Sequence, residues 1–102
     1  MVDLAAASLE TFAPHTGTEF TVRDEGAGAP TLTLELIEAQ ALPESPLPAE
    51  RLPFSLIFRG PAEPALGQGI HGLEHAQLGV LEIFLVPLVP DRDGALYQAV
   101  FA

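Results

Sequence analysis

The chain has 102 residues, 48% apolar and only 18% charged, a balance that excludes intrinsic disorder and supplies one hydrophobic core with no room for a second. Its 14 acidic residues face four arginines and no lysine, and the formal charge of -10 excludes the counterion release that drives nucleic-acid binding and opposes contact with anionic lipid. Cysteine is absent, which removes disulfides, thiolate nucleophiles and cysteine-based zinc sites without fixing a compartment.

The first residues lack the basic stretch of a signal peptide, and Asp3 and Glu10 interrupt their small-residue run, so no export signal is expected. Asp3 to Ala13 predicts a short helix: Asp3 caps it, Ala5, Ala6 and Ala7 favour it, Leu4, Leu9 and Phe12 share a stripe, and Pro14 ends it. After Gly17 the period changes to two. Phe20 and Val22 alternate with Thr21 and Arg23 in a first strand, and Leu32, Leu34 and Leu36 alternate with Thr31, Thr33 and Glu35 in a second. Consecutive apolar residues at Leu36-Ile37 predict a β-bulge or the point where the strand bends over an end of the core.

Pro43, Pro46, Pro48 and Pro53 make residues 42–53 a proline-rich loop, either a stiff connection or an arm that lies on a neighbouring subunit. A third strand follows from Phe54 to Arg59, where Phe54, Leu56 and Phe58 alternate with Ser55, Ile57 and Arg59. Further strands are expected at Gln68 to His75, Val80 to Val89 and Ala95 to Phe101, the last two separated by the turn Pro90 to Gly94. The run Val80 to Val89 is about half the length of a bilayer-spanning helix and contains Glu82 and Pro87, so it reads as a core strand and the location as cytoplasmic by default.

Gly67 to His75 matches two chemical motifs at once: G-x-G-x-x-G at Gly67, Gly69 and Gly72, and H-x-x-E-H at His71, Glu74 and His75. A dinucleotide site needs a strand before the first glycine and a helix of several turns after the last. Here Pro61 and Pro64 stand upstream, and Gly79 follows Gly72 within two helical turns. Zinc chelation needs both histidines on one helical face, about 6 Å apart. The glycines favour strand, on which the imidazoles stand about 13 Å apart, too far to share an ion. Neither motif is expected to act. In the structural reading, His71, Gly72 and Glu74 lie on a polar or edge strand, with Ile70 and Leu73 anchoring it across a bulge at glycine.

Asp91-Arg92-Asp93-Gly94 has the start of a calcium loop without its downstream ligands, and reads as a hairpin turn with Gly94 at positive φ. Glu35 and Glu38 become a carboxylate pair only if the bulge realigns them; a solvated face is expected. The aromatics Phe12, Phe20, Phe54, Phe58, Phe84, Tyr97 and Phe101 are mostly core by spacing. Leu81, Ile83 and Leu85 fill one face of their strand while Phe84 and Val86 make the other apolar too. Either the N-terminal helix covers that second face or a partner does.

The phrases Pro53 to Pro61, Gln68 to His75, Leu78-Gly79, Phe84-Leu85-Val86-Pro87 and Tyr97 to Phe101 resemble those of a small uncharacterised bacterial all-β domain family. Leu9, Phe12, Gly17 and Phe20 resemble its opening pattern. The chain departs from the family at Ile70-His71, where an aromatic is usual, and in its longer proline-rich loop. The resemblance carries no established activity and implies association with tail-collar-like fibre proteins, hence assembly over catalysis.

Together these readings predict an all-β single domain over residues 1–102, with about six short antiparallel strands in a small sandwich or partly open barrel and a short N-terminal helix. The expected function is a non-enzymatic protein-interaction or assembly module, within a fibre or phage-tail-like particle as the resemblance implies, that needs no cofactor or metal and binds a protein partner or itself. Phe84, Val86, Pro46 and Pro48 are the expected contact residues. The alternatives are a small-ligand-binding β-barrel using Arg59, His71 and His75 near its mouth, and a zinc hydrolase built on His71, Glu74 and His75.

Overall fold

Period-two alternation becomes six antiparallel strands in the computed structural model, which describes residues 7–23, 32–42, 53–62 and 66–101. A one-turn helix α1 (Leu9–Phe12) and a 3-10 turn (Ala13–His15) precede β1 (Glu19–Val22), β2 (Thr33–Ala41), β3 (Phe54–Gly60), β4 (Gly69–His75), β5 (Gly79–Pro87) and β6 (Ala95–Phe101). The sheet order β1-β2-β3-β6-β5-β4 closes into a barrel because β1 also pairs with β4, with Thr21 opposite Glu74 and Val22 opposite Leu73. The barrel is closed, and each described strand has a neighbour on both sides.

Inward-facing residues of every strand fill the interior as one cluster. Phe20, Leu34, Leu56, Leu73, Ile83 and Tyr97 represent the six strands, and none is more than 2% exposed. Edge-to-face contact between Phe20 and Phe58, at 5.3 Å, ties β1 to β3 across the barrel. Phe54 and Phe101 stack at 4.7 Å near one end, and Phe12 closes that end at 6.0 and 5.6 Å from them. One helical turn is too short to be stable alone, so α1 depends on this aromatic contact.

The helix starts later than its composition predicts. Ser8 is the N-cap, extended at φ -133°, and its N–H donates to Thr11 Oγ1 at 3.1 Å. Asp3 and Leu4, the expected cap and first stripe residue, lie outside the described residues. Pro14 sits in the first positions of the 3-10 turn, where its missing N–H leaves no bond unmade.

The bulge expected at Leu36-Ile37 forms: pairing of β2 with β3 shifts register between Leu36 and Glu38. It reverses the facing of β2, so Leu34 and Leu36 point inward before it and Ala39 packs on the core after it. Glu35 and Glu38 consequently share the outer side, both exposed, which is the solvated face expected. The strand then runs on to Ala41, beyond the bend its pattern suggests.

The bulge expected in β4 does not form. Pairing with β5 is unbroken from Gly69 opposite Leu85 to His75 opposite Gly79. Gly72 has another role: a Cβ there would stand 3.0 Å from the Arg23 carbonyl oxygen, so glycine admits the β1 backbone at the closing seam. Arg23 N–H donates to Gly72 O at 2.7 Å across that gap.

At the other end, residues Asp91 to Gly94 form the expected turn, held by Asp91 N–H to Gly94 O at 3.1 Å and Asp93 N–H to Asp91 Oδ1 at 2.9 Å. Gly94 has φ +143°, and a Cβ on it would lie 2.1 Å from Gly60 O. No side chain fits there. Gly94→Ala is therefore expected to lower stability by about 3 kcal/mol, from strain plus overlap with backbone. Phe12→Ala is expected to cost about 3–4 kcal/mol, and Glu38→Ala less than about 0.5 kcal/mol. Urea unfolding monitored by circular dichroism checks all three, and a parental midpoint for Gly94→Ala would refute the packing assigned to the turn.

Candidate functional site

His75, the last residue of β4, faces the interior in step with Leu73 and is 5% exposed. Its Nδ1 accepts the backbone N–H groups of Gln77 at 3.0 Å and Leu78 at 3.2 Å, so that nitrogen carries no proton. Nε2 carries it and donates to Thr18 Oγ1 at 2.9 Å, and the Thr18 hydroxyl donates onward to the His15 carbonyl. Phe20 lies against the ring at 4.5 Å and His15 meets it edge-on at 4.7 Å. Burial, reinforced by the neighbouring His15 charge, holds the His75 imidazole below the ordinary histidine range.

Both nitrogens of His75 are therefore committed to the fold, and no lone pair is left to bind a metal. His71 faces the same side of β4, but its Nε2 donates to the Gly67 carbonyl at 2.7 Å. Glu74 faces outward and pairs with Arg23 Nε at 2.8 Å, in an exposed contact worth little on its own. Strand parity thus separates the members of H-x-x-E-H, and among the described residues no three potential ligands converge. Closure corrects the edge-strand alternative, since β4 lies between β5 and β1; of the two expected anchors Leu73 is buried and Ile70 points outward. The glycine motif fares likewise. Gly67 precedes β4, Gly69 and Gly72 lie within it, and a hairpin to β5 follows where a phosphate-binding helix would have to start.

Arg59 faces outward from β3 near the end opposite His75. Its Nη2 meets Asp91 Oδ2 at 2.7 Å and Asp93 Oδ2 at 4.0 Å. Hydrogen bonding to Arg59 is the main cause holding the Asp91 carboxyl below its usual range, with bonds from the Asp93 and Gly94 backbone adding to it. That carboxylate completes a turn, not a calcium site. A ligand-binding mouth shared by Arg59, His71 and His75 is also corrected. Arg59 and His75 sit at opposite ends on opposite faces, and aromatic and leucine side chains fill the barrel between them.

The outer face of β5 carries Val80, Glu82, Phe84 and Val86, while Leu81, Ile83 and Leu85 point inward as expected. Phe84 is 49% exposed and pairs directly with Ile70, which is 67% exposed on β4. Val100 of β6, 58% exposed, and Val80, 48% exposed, also lie on the outer side, and Val86 is half-buried opposite Gln98. The described helix α1 does not cover this face. That helix packs at the end of the barrel against Phe54, Phe101 and β2. Pro46 and Pro48 lie outside the described residues. Ile70 and Val100 were legible as outward by parity, three residues from Leu73 and one from Phe101, but apolar character alone assigns such residues to a core.

A family model described as Domain of unknown function (DUF6916) matches residues 7–101. The chain belongs to this family. The match runs from the residue before the α1 cap to the last residue of β6, so it spans the whole barrel of this DUF6916 domain and bears out the resemblance to an uncharacterised family. No curated protein and no solved structure matches the chain. Among its described residues no helix is long and apolar enough to cross a membrane.

The folded DUF6916 domain disfavours the His75 proton that an unfolded histidine accepts. The stabilisation from neutral His75 is thus complete above about pH 6.5 and is lost as pH falls from there through the folded value. Asp91 acts lower: its contribution is present above the ordinary carboxylate range and is lost as pH falls below it. Unfolding midpoints between about pH 8 and pH 5 are expected to fall, by at most about 1.4 kcal/mol per pH unit from this histidine. His75→Asn should flatten that window and leave the more acidic loss in place; an unchanged slope in the variant would remove the linkage.

Proposed function

We propose that the domain is a non-enzymatic protein-interaction or assembly module that docks through the outer apolar face of β4, β5 and β6. One observation carries the reading: Ile70 and Phe84 are cross-strand neighbours, both about half exposed or more, on the outside of a barrel whose interior is already full. Closure supports a side-chain mode of docking. Each described strand has a neighbour on both sides, which favours affinity from a face over addition of a partner strand. Aromatic and branched apolar residues, with Glu82 and the Arg23-paired Glu74 as the carboxylates beside them, suit such a face.

The charge of -10 favours a protein partner over nucleic acid and acts against docking of two like copies at low salt. The resemblance drawn from sequence adds a setting: assembly beside tail-collar-like fibre proteins in a bacterial fibre or phage-tail-like particle. Catalysis has no support of comparable kind, because the residues with chemical potential at His75, His71 and Asp91 are bonded within the fold.

Phe84→Ser combined with Ile70→Ser tests the face. Stability is expected to change by less than about 1 kcal/mol, as for exposed positions, while association is lost. Sedimentation velocity of the parent over a wide concentration range, alone and with the products of neighbouring genes, reads the association. A parent that stays monomeric and forms no complex that the double variant abolishes would overturn the proposal.

A further inference from the structure

We infer that the His75 imidazole is an acid-released latch, which fastens the β4–β5 hairpin loop to the rim of the barrel while neutral and frees the loop when Nδ1 takes up a proton. The geometry is asymmetric in a way that makes the ring a switch and not merely a strut. Nε2–H donates to Thr18 Oγ1 in either protonation state, so the tie to the segment before β1 survives protonation. Nδ1 has one lone pair, and two backbone N–H groups, from Gln77 and Leu78, point at it. A proton on Nδ1 turns that acceptor into a third donor. Both amides then lose their partner, and the loop or the ring must move.

The surroundings offer the imidazolium nothing in exchange. From the 3-10 turn the ring faces His15, edge-on at 4.7 Å, which repels it when both are charged. From β1 it faces Phe20, while Glu19 stands exposed on the outer side opposite Glu35. From β5 its register partner is Gly79, and Glu82 is exposed on the outside. Glu74, its neighbour on β4, faces away and is paired with Arg23. Glu10 of α1 is exposed, and no carboxylate among the described residues hydrogen-bonds to the ring or acts on its charge. The freed loop carries Leu78, 7% exposed in the closed state, so release exposes an apolar side chain at the barrel end. This device stands apart from the docking face, because it involves neither Phe84 nor Ile70.

The test uses the full chain labelled with 15N, between about pH 8 and pH 5. Ring nitrogen shifts of His75 are expected to show an unprotonated acceptor Nδ1 near neutrality. As His75 titrates, the amides of Gln77 and Leu78 should lose about ten-fold or more of their exchange protection, after correction for intrinsic rates, relative to the β3–β6 ladder. His75→Asn places an amide oxygen near the Nδ1 position and has nothing to titrate, so protection should no longer vary with pH. Should that variant not fold, His15→Gln removes the repelling charge and should move the ring titration and the loss of protection together to higher pH. Amides that track the β3–β6 ladder at every pH, or that open equally in His75→Asn, or a His15→Gln shift in titration without the shift in protection, would overturn the latch.

Discussion

At the seam between β1 and β4, two residue pairs and one flanking hydrogen bond separate a closed barrel from an open six-stranded sheet. That seam depends on backbone meeting backbone at Gly72, where any side chain would crowd the Arg23 carbonyl. Closure then fixes what the other elements do. It turns one face of every strand inward around Phe20, Phe58 and Tyr97, leaves the ends to be closed by Phe12 and by the Asp91 to Gly94 turn, and removes the two edges an open sheet would expose.

Function is constrained by the same closure. A small barrel filled by its own aromatic and leucine side chains has its apolar interior committed to stability, so the proposed docking rests on the outer surface. The outer surface is divided. Around β1, β2 and β3 it carries Glu19, Glu35, Glu38 and Arg59, while around β4, β5 and β6 it carries Ile70, Phe84 and Val100. The proposed docking rests on this contrast between charge on one side and exposed apolar area on the other.

His75 shows how a polar group is accommodated in such an interior. Its two nitrogens receive three hydrogen-bonding partners, and the ring is flanked by Phe20 and His15. A buried polar group with every site satisfied rigidifies its surroundings, and a single proton at the wrong nitrogen reverses that effect. The pH response inferred for the β4–β5 loop therefore depends on this one side chain.

The inward residues of β3, β5 and β6 were legible from alternation, because period two is a property of the extended chain itself. The bulge at Leu36-Ile37 was legible for the same reason: two consecutive apolar residues break the parity within one strand. The failure of both motifs at Gly67 to His75 was legible too, since glycine spacing argues against the helix that each chemistry needs. What stayed hidden involves partners distant in sequence. A glycine in a strand signals either a bend or a close approach, and only the arrival of Arg23 decided the second for Gly72. His75 carried the spacing of a metal ligand, but Thr18, 57 residues away, supplies the acceptor that fixes its tautomer. The sequence by itself determined strand, parity and the all-β class, because these follow from local backbone geometry. Tertiary structure decided closure, the exposed strip and the role of each histidine, because these depend on which distant backbone comes to lie beside them.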